Sequence, residues 1–144
     1  MKKDKILVGK IRTFNRFYTN IIGLLDQHIL DSPYTLTDVR ILYEIYHTKN
    51  CTAKKIREVI SIDLGYLSRI IDRFVGKKFV RRSSSAVDRR FKILSLTQKG
   101  KTEFLKLNNH SDKLISNMIA GLYQKDRNEL VKMMESIKTI LSDK

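Results

Sequence analysis

The sequence predicts a mainly α-helical fold that contains a helix-turn-helix pair, a two-stranded β-hairpin and further helices at both ends. Three observations support this prediction. Glycine and proline are scarce, with 6 and 1 copies, so few residues interrupt regular structure. Apolar residues recur mostly at helical spacing. After Phe74 the period of the apolar pattern changes from 3.6 residues to 2, which is typical of strands.

The first two elements are predicted to be helices. Apolar positions at helical spacing begin at Leu7, continue to a last position near Leu25 and fade near Leu30, which indicates one long amphipathic helix. The segment 31–34, which contains the single proline, follows as a loop. Thr35 then precedes Asp38 by three residues, a Thr-x-x-Asp capping box that predicts the start of the second helix.

The third and fourth helices form the predicted helix-turn-helix pair. Thr52 can cap a short third helix, and either Ser61 or Asp63 can cap the fourth. The fourth helix has a predicted buried stripe of Leu64, Leu67, Ile70, Ile71, Phe74 and Val75. Two helices of about ten and fourteen residues, joined by about three, are typical of this motif.

The hairpin and two more helices complete the chain. The segments 79–82 and 90–96 alternate in polarity and are separated by a polar link, so we predict two strands and a turn. Thr97 can cap a long helix, which we expect to bend near Asn108. The polar segment 125–127 is expected to separate that helix from a last one.

Length and charge restrict the class of protein. A chain of 144 residues fits one domain. The 29 Lys and Arg residues exceed the 15 Asp and Glu residues by 14, and residues 51–100 alone carry an excess of 9. Such a local excess indicates a polyanionic partner. No apolar run is long enough to cross a membrane and no signal peptide is evident, so we expect a cytoplasmic protein.

One face of the fourth helix has the residue types that contact DNA bases. Opposite the buried stripe, or flanking that face, lie Gly65, Tyr66, Ser68, Arg69 and Arg73. Arginine binds guanine edges in the major groove, Ser and Tyr reach phosphates or bases, and glycine permits close approach of the backbone. An ordinary solvated helix face is the alternative interpretation.

The hairpin favours the interpretation as a DNA-binding unit. Five cations lie around its tip: Arg81, Arg82, Arg89, Arg90 and Lys92. A basic arm of this size can enter a minor groove, whose negative potential attracts arginine. Asp88 can hold Arg90 in one rotamer through charge-assisted hydrogen bonds. A plain turn aspartate is the alternative.

Several segments of the chain resemble the MarR family of winged helix-turn-helix regulators. The resemblance is carried by residues 52–56, 67–74, 80–82, 88–90 and 94–101. The Asp-Arg-Arg sequence followed by Leu-x-Leu-Thr-x-x-Gly is the most specific of these motifs. Residues 11–18, 22–25 and 64–70 are also similar to the MarR-type half of proteins fused to a GCN5-related acetyltransferase domain. We expect no acetyltransferase activity, because these 144 residues leave no room for that domain.

The resemblance implies a homodimer that binds a pseudo-palindromic operator in double-stranded DNA. One MarR-type domain would span 1–144, with dimerisation helices at 1–30 and 100–144 and a winged-helix DNA-binding region at 35–97. The need to bury apolar residues at both ends of the chain favours a dimer independently. The family's recognition helix maps to residues 63–77. One departure is Lys78, which stands where the family commonly has glycine.

We therefore predict a sequence-specific, non-enzymatic transcriptional regulator that acts as a ligand-responsive repressor. Arg69, Arg73, Tyr66 and Ser68 would contact the major groove, and Arg90, held by Asp88, the minor groove. The expected phosphate contacts are Lys54, Lys55, Arg81, Arg82 and Arg89. The alternatives are an interaction module, such as an anti-repressor, and an architectural DNA-coating protein.

Other candidate sites are weaker. The aromatic residues Phe14, Phe17, Tyr18, Tyr43 and Tyr46 either line a cleft for a small effector or form part of the core. Cys51 is either a redox sensor, activated by nearby lysines, or an unremarkable cysteine at a helix start. The three histidines have no metal-ligand spacing, and no catalytic or cofactor-binding motif is evident. We expect no metal and no cofactor.

Overall fold

The computed structural model describes residues 1–29 and 32–142, without the side chains of residues 25–29. These residues form six helices and two strands in the order α1 (Lys2–Ile29), α2 (Leu36–His47), α3 (Ala53–Val59), α4 (Leu64–Gly76), β1 (Val80–Ser84), β2 (Lys92–Leu96), α5 (Gln98–Ile119) and α6 (Gln124–Ser142). The predicted end of the first helix near Leu30, the loop residue Asp31, the terminal Lys144 and the side chain of Leu25 lie outside the described residues.

The predicted mainly helical class and the helix-turn-helix with its hairpin are confirmed. The chain divides into two compact units, Met1–Ser111 and Asp112–Lys144. The first unit contains α1 to α4, the hairpin and the beginning of α5. The second contains the end of α5 and α6. No described helix combines the length and the apolar character needed to cross a membrane.

Local capping explains where the helices begin. Thr35 and Asp38 form the complete capping box of α2. The Thr52 side chain accepts a hydrogen bond from the Lys55 backbone in α3. Of the two candidates for α4, Asp63 is the cap, and its carboxylate accepts a 2.9 Å hydrogen bond from the Tyr66 backbone.

The core of the first unit lies between α2, α4, the hairpin and α5. Its largest fully buried apolar side chains are Phe74, Phe104, Ile41, Leu42, Ile56 and Leu67. Tyr34, Phe74 and Phe79 form an aromatic cluster with ring centroids 6.0 to 6.2 Å apart. This cluster packs the end of α4 against the start of the hairpin, and so fixes the position of the fourth helix.

The bounds of both hairpin strands differ from the prediction. β1 spans Val80–Ser84 rather than 79–82, and β2 spans Lys92–Leu96 rather than 90–96. β1 and β2 are antiparallel, with Val80 opposite Leu96 and Ser84 opposite Lys92. The second strand begins at Lys92 rather than at residue 90 because the backbone amide of Phe91 bonds back to the Asp88 carbonyl and closes a turn. A single bridge joins Leu94 to Cys51, whose carbonyl accepts a 2.7 Å hydrogen bond from the Leu94 backbone.

The beginning of α5 lies very close to β1. The backbone amide of Thr97 donates a 2.9 Å hydrogen bond to the carbonyl of Phe79, and the Thr97 side chain caps the helix at the Gly100 amide. A Cβ atom added to Gly100 would lie 2.0 Å from that carbonyl oxygen. The Leu-x-Leu-Thr-x-x-Gly sequence thus joins the helix to the hairpin through two backbones in contact, which only glycine permits.

One prediction for the last helices is wrong, and one stays a prediction. α5 is one helix from Gln98 to Ile119, so the chain stays helical at Asn108, and the bend expected there stays a prediction. Residues 125–127 belong to the first turn of α6 instead of separating the helices. Asp126 favours a helix start through its charge. The Arg127 guanidinium donates to the carbonyls of Ala120 and Leu122, which the end of α5 leaves without helical partners.

Candidate nucleic-acid interface

The five predicted base-contacting residues of α4 are exposed, and four of them lack an ion pair to the core among the described residues. Gly65, Tyr66, Ser68 and Arg69 are all exposed. The Arg69 guanidinium lies 6.0 Å from the centre of the Tyr66 ring, which restricts its orientation. The face therefore presents a guanidinium, a phenol and a hydroxyl group beside a residue without a side chain.

Arg73, the fifth predicted residue, is anchored to the core. Its guanidinium forms an ion pair with the carboxylate of Asp38, which is 2% exposed. The other oxygen of that carboxylate accepts a 3.0 Å hydrogen bond from the Thr35 backbone in the capping box of α2. A half-exposed arginine of the last turn of α4 thus joins this helix to the first turn of α2.

A second ion pair joins α4 to the hairpin. The guanidinium of Arg82, in β1, bonds to the carboxylate of Asp72 on α4. Both side chains are exposed, so the pair contributes little to stability. The pair instead fixes the position of the hairpin against α4, whose exposed face carries Arg69.

The expected pair of Asp88 and Arg90 is present at the hairpin tip. Arg90 Nη2 lies 2.9 Å from Asp88 Oδ2, Arg90 Nε lies 3.1 Å from Oδ1, and the Arg90 backbone amide donates to Oδ1 at 3.0 Å. These bonds lower the pKa of Asp88 and raise the pKa of Arg90. The Arg90 side chain remains 88% exposed, so the carboxylate orients it without covering it.

The predicted phosphate contacts lie around this helix and hairpin. Arg81 and Arg89 are exposed, as is Lys54 at the start of α3. The Lys55 ammonium donates to the backbone carbonyls of Lys49 and Asn50 at 3.3 and 3.1 Å. An ammonium group has three donors, so both bonds leave one for a phosphate.

The predicted effector residues other than Phe17 take part in two sets of ring contacts. Phe14 and Tyr18 stack on α1, with ring centroids 5.7 Å apart, and Phe17 is 61% exposed. Tyr43 and Tyr46 instead contact two rings that the sequence analysis missed, those of His47 and Phe104. No ring contact joins the two sets in the part of the chain that the structure describes.

Cys51 is buried beside the hairpin. Burial raises the pKa of its thiol to about 11, with a further increase from Glu44 and a smaller opposing effect of Lys55. The thiolate that a redox sensor needs is therefore disfavoured. Of the two interpretations, the structure favours the unremarkable cysteine, which is buried. Among the described residues, no cluster of His, Cys, Asp and Glu could hold a metal ion.

We expect Cys51 to react very slowly with a thiol-specific disulfide reagent in the folded protein. With a pKa of about 11, roughly one thiol in ten thousand is ionised at pH 7. The measurement is the rate of thiol modification at pH 7, with the protein unfolded in urea as the control. Equal rates in folded and unfolded protein would contradict the burial of this side chain.

The partners of the arginines and two cations near the hairpin are not apparent from the sequence motifs. Asp38 was identified as a cap but not as the partner of Arg73, which is 35 residues away. Lys78 and Lys99 were not assigned, although they lie in one groove with Arg81 and Arg82. Both lysines contribute to the excess of positive charge in residues 51–100, which is the sequence signal that could have identified them.

The chain has clear similarity to known proteins. Residues 34–92 match the model of the MarR family. The multiple antibiotic resistance protein MarR of Escherichia coli (strain K12) is 31% identical over 77 residues, which are 54% of this chain and 54% of that protein. The chain thus matches about half the length of this curated relative.

Two solved structures are similar over most of their length. The transcriptional regulator BldR from Sulfolobus solfataricus has a TM-score of 0.80 at 19% identity and covers 100% of both chains. A mutant MarR from E. coli complexed with operator DNA has a TM-score of 0.75 at 21% identity, over 91% of this chain and 94% of that chain. Both share the fold described above, in which the family's motif forms the helix-turn-helix and hairpin. The chain is therefore similar to the MarR family over residues 34–92 and has the winged helix-turn-helix fold of these solved structures.

Proposed function

We propose that this protein is a sequence-specific transcriptional regulator that binds double-stranded DNA as a homodimer and acts as a repressor whose binding to the operator is weakened by a ligand. The observation that carries the proposal is the exposed face of α4, fixed by the pair of Asp72 and Arg82 beside a hairpin with an oriented arginine. A helix for the major groove and a basic arm for the minor groove together form a DNA-binding unit. The operator complex of the similar mutant MarR supports the same partner. The cytoplasm is the expected place of action.

Each cation has a distinct role in this proposal. Arg69 contacts base edges in the major groove with Tyr66 and Ser68, and Arg90 enters the minor groove. Arg73 positions α4 through Asp38 and is not assigned to a base. The phosphate contacts are Lys54, Lys55, Arg81, Arg82 and Arg89. No step of the proposal requires catalysis or a cofactor.

The exposed apolar residues of the terminal helices support the homodimer. On α1, Leu7, Ile11 and Phe17 are 57 to 61% exposed. On α6, no residue is buried and several large apolar side chains are exposed: Val131, Met133, Met134, Ile137, Ile140 and Leu141. Burial of these residues against a second copy stabilises both subunits and provides one DNA-binding unit for each half of a pseudo-palindromic operator.

The exposed aromatic residues support a small-molecule effector. Phe14 and Tyr18 on α1, and Tyr43 and Tyr46 on α2, offer two apolar surfaces to an aromatic ligand. The effector would lie in a cleft lined by these two surfaces, which no ring contact joins among the described residues. A ligand-dependent loss of operator affinity is the expected effect.

Selection of bound fragments from random DNA should yield one pseudo-palindromic sequence. We expect the selected sequence to bind at least about a thousandfold more tightly than bulk DNA, since a specific regulator exceeds its non-specific binding by that margin. A coating protein needs only the electrostatic contribution and gives a ratio near one. An anti-repressor binds neither DNA appreciably. Either of those two results would contradict the proposed function.

A further inference from the structure

A groove of positive charge lies at the base of the hairpin. It is bounded by the last turn of α4, β1 and the first turn of α5, and has a volume of about 660 Å³. We call it the basic groove and define it by Lys78, Arg81, Arg82 and Lys99. All four side chains are exposed. The groove has four positive charges along its walls.

Among the described residues, three of these four cations have no acidic partner. Arg82 is paired with Asp72 on α4. No carboxylate of the described residues lies within 4 Å of the charged nitrogen atoms of Lys78, Arg81 or Lys99. Like charges around one groove repel each other and lower stability. The Lys99 ammonium lies 5.5 Å from the centre of the Phe79 ring, but among the described residues no such ring contact involves Lys78 or Arg81. A polyanion would compensate the charges of the groove.

Lys78 also occupies a backbone position that favours glycine. Its φ angle is 62°, in the left-handed region. The conformation follows from the end of α4, where the amides of Lys78 and Phe79 bond back to the carbonyls of Val75 and Phe74. A side chain with a Cβ atom is strained there, and glycine is not. The chain thus keeps a lysine at a site where glycine would be more stable, which points to a use for the ammonium group.

We propose that the basic groove binds phosphates of the operator duplex outside the base pairs contacted by α4 and the hairpin tip. This inference rests on the proposed DNA-binding function. Arg82 both lines the groove and pairs with Asp72 on α4, so the groove is continuous with the DNA-binding surface. An acidic protein segment is less suited, because Val80 in the groove wall is 2% exposed and offers no apolar anchor.

The decisive variant is Lys78→Gly, because its effects on stability and on DNA binding should have opposite signs. Relief of the left-handed strain should raise Tm by about 2–5 °C. Affinity for a duplex that extends the selected operator by about ten base pairs on each side should fall about 3- to 10-fold, with a decrease of about one in the salt slope. The shorter duplex without extensions should bind with little change.

Lys99→Ala tests the same groove without a change of backbone strain, and Lys106→Ala on α5 is the control for the loss of one exposed lysine. Lys99→Ala should reduce the gain in affinity for the extended duplex over the short one, as Lys78→Gly does. Lys106→Ala should leave this gain unchanged. Equal affinities of wild type for both duplexes would overturn the inference. A Lys78→Gly variant that keeps the full gain in affinity for the extended duplex over the short one would also overturn it. So would a variant that binds DNA unchanged but loses binding to a polyglutamate peptide, which represents an acidic protein segment. Failure of wild type to bind even the short operator would instead contradict the proposed function.

Discussion

Gly100→Ala should lower the free energy of unfolding by about 3 kcal/mol, because the new methyl group has no space. It would lie 2.0 Å from the carbonyl oxygen of Phe79 and 2.8 Å from its carbonyl carbon. These are backbone atoms, held by the hydrogen bond from the Thr97 amide to the same oxygen. Relief of the clash therefore requires α5 to move away from the hairpin, which breaks the contact between them.

Urea unfolding measures this effect, and Gly76→Ala is the matched control. Gly76 is the last residue of α4, and an added Cβ atom would have no neighbour within 4 Å. Since alanine is the better helix former, Gly76→Ala should leave stability unchanged or raise it by up to about 1 kcal/mol. Equal urea midpoints for Gly100→Ala and wild type would show that α5 and the hairpin do not approach as described.

The two ion pairs of α4 explain how the DNA-binding unit keeps its geometry. Arg73 joins the helix to the capping box of α2 through Asp38, and Asp72 joins it to β1 through Arg82. The pair of Arg73 connects α4 to the core, and the pair of Asp72 connects it to the hairpin. We infer that they fix the angle between the recognition helix and the hairpin more than they stabilise the chain, since the exposed pair contributes little energy.

Local features of the fold could be predicted from the sequence. The caps Thr35, Thr52, Asp63 and Thr97 act on amides within three residues, so their effect depends on the neighbouring sequence alone. The orientation of Arg90 by Asp88 was predictable for the same reason. The buried stripe of α4 follows from helical spacing, although Leu64 at its first position is 51% exposed.

Features that depend on distant parts of the chain could not be predicted in this way. The pairing of Arg73 with Asp38 joins residues 35 positions apart, and helical spacing alone places Arg73 with the exposed residues. The division of the predicted effector residues between two sets of ring contacts depends on how α1 and α2 are placed. The contact of Gly100 with Phe79 explains a motif that the sequence could identify but not interpret.

Arg90→Ala should weaken operator binding about 5- to 150-fold for each half-site, the effect of removing an arginine that contacts bases. The side chain is 88% exposed in the free protein, so its loss should leave Tm unchanged. Fluorescence anisotropy with the selected operator at physiological salt measures the affinity. Unchanged affinity would remove Arg90 from the interface.

Asp88→Ala distinguishes two roles of Asp88, because they predict opposite changes in operator affinity. Asp88 either orients Arg90 or is a plain turn residue whose charge repels DNA. Removal of a negative charge near DNA should strengthen binding if Asp88 is a plain turn residue. If Asp88 orients Arg90, the freed side chain must be ordered on binding, and affinity should instead fall about 2- to 10-fold. Arg90 lowers the pKa of Asp88, so the carboxylate loses its charge only in acid below its ordinary pKa. The loss in Asp88→Ala should therefore be the same at pH 6 and pH 8, and tighter binding by this variant would show that the carboxylate does not position the arginine.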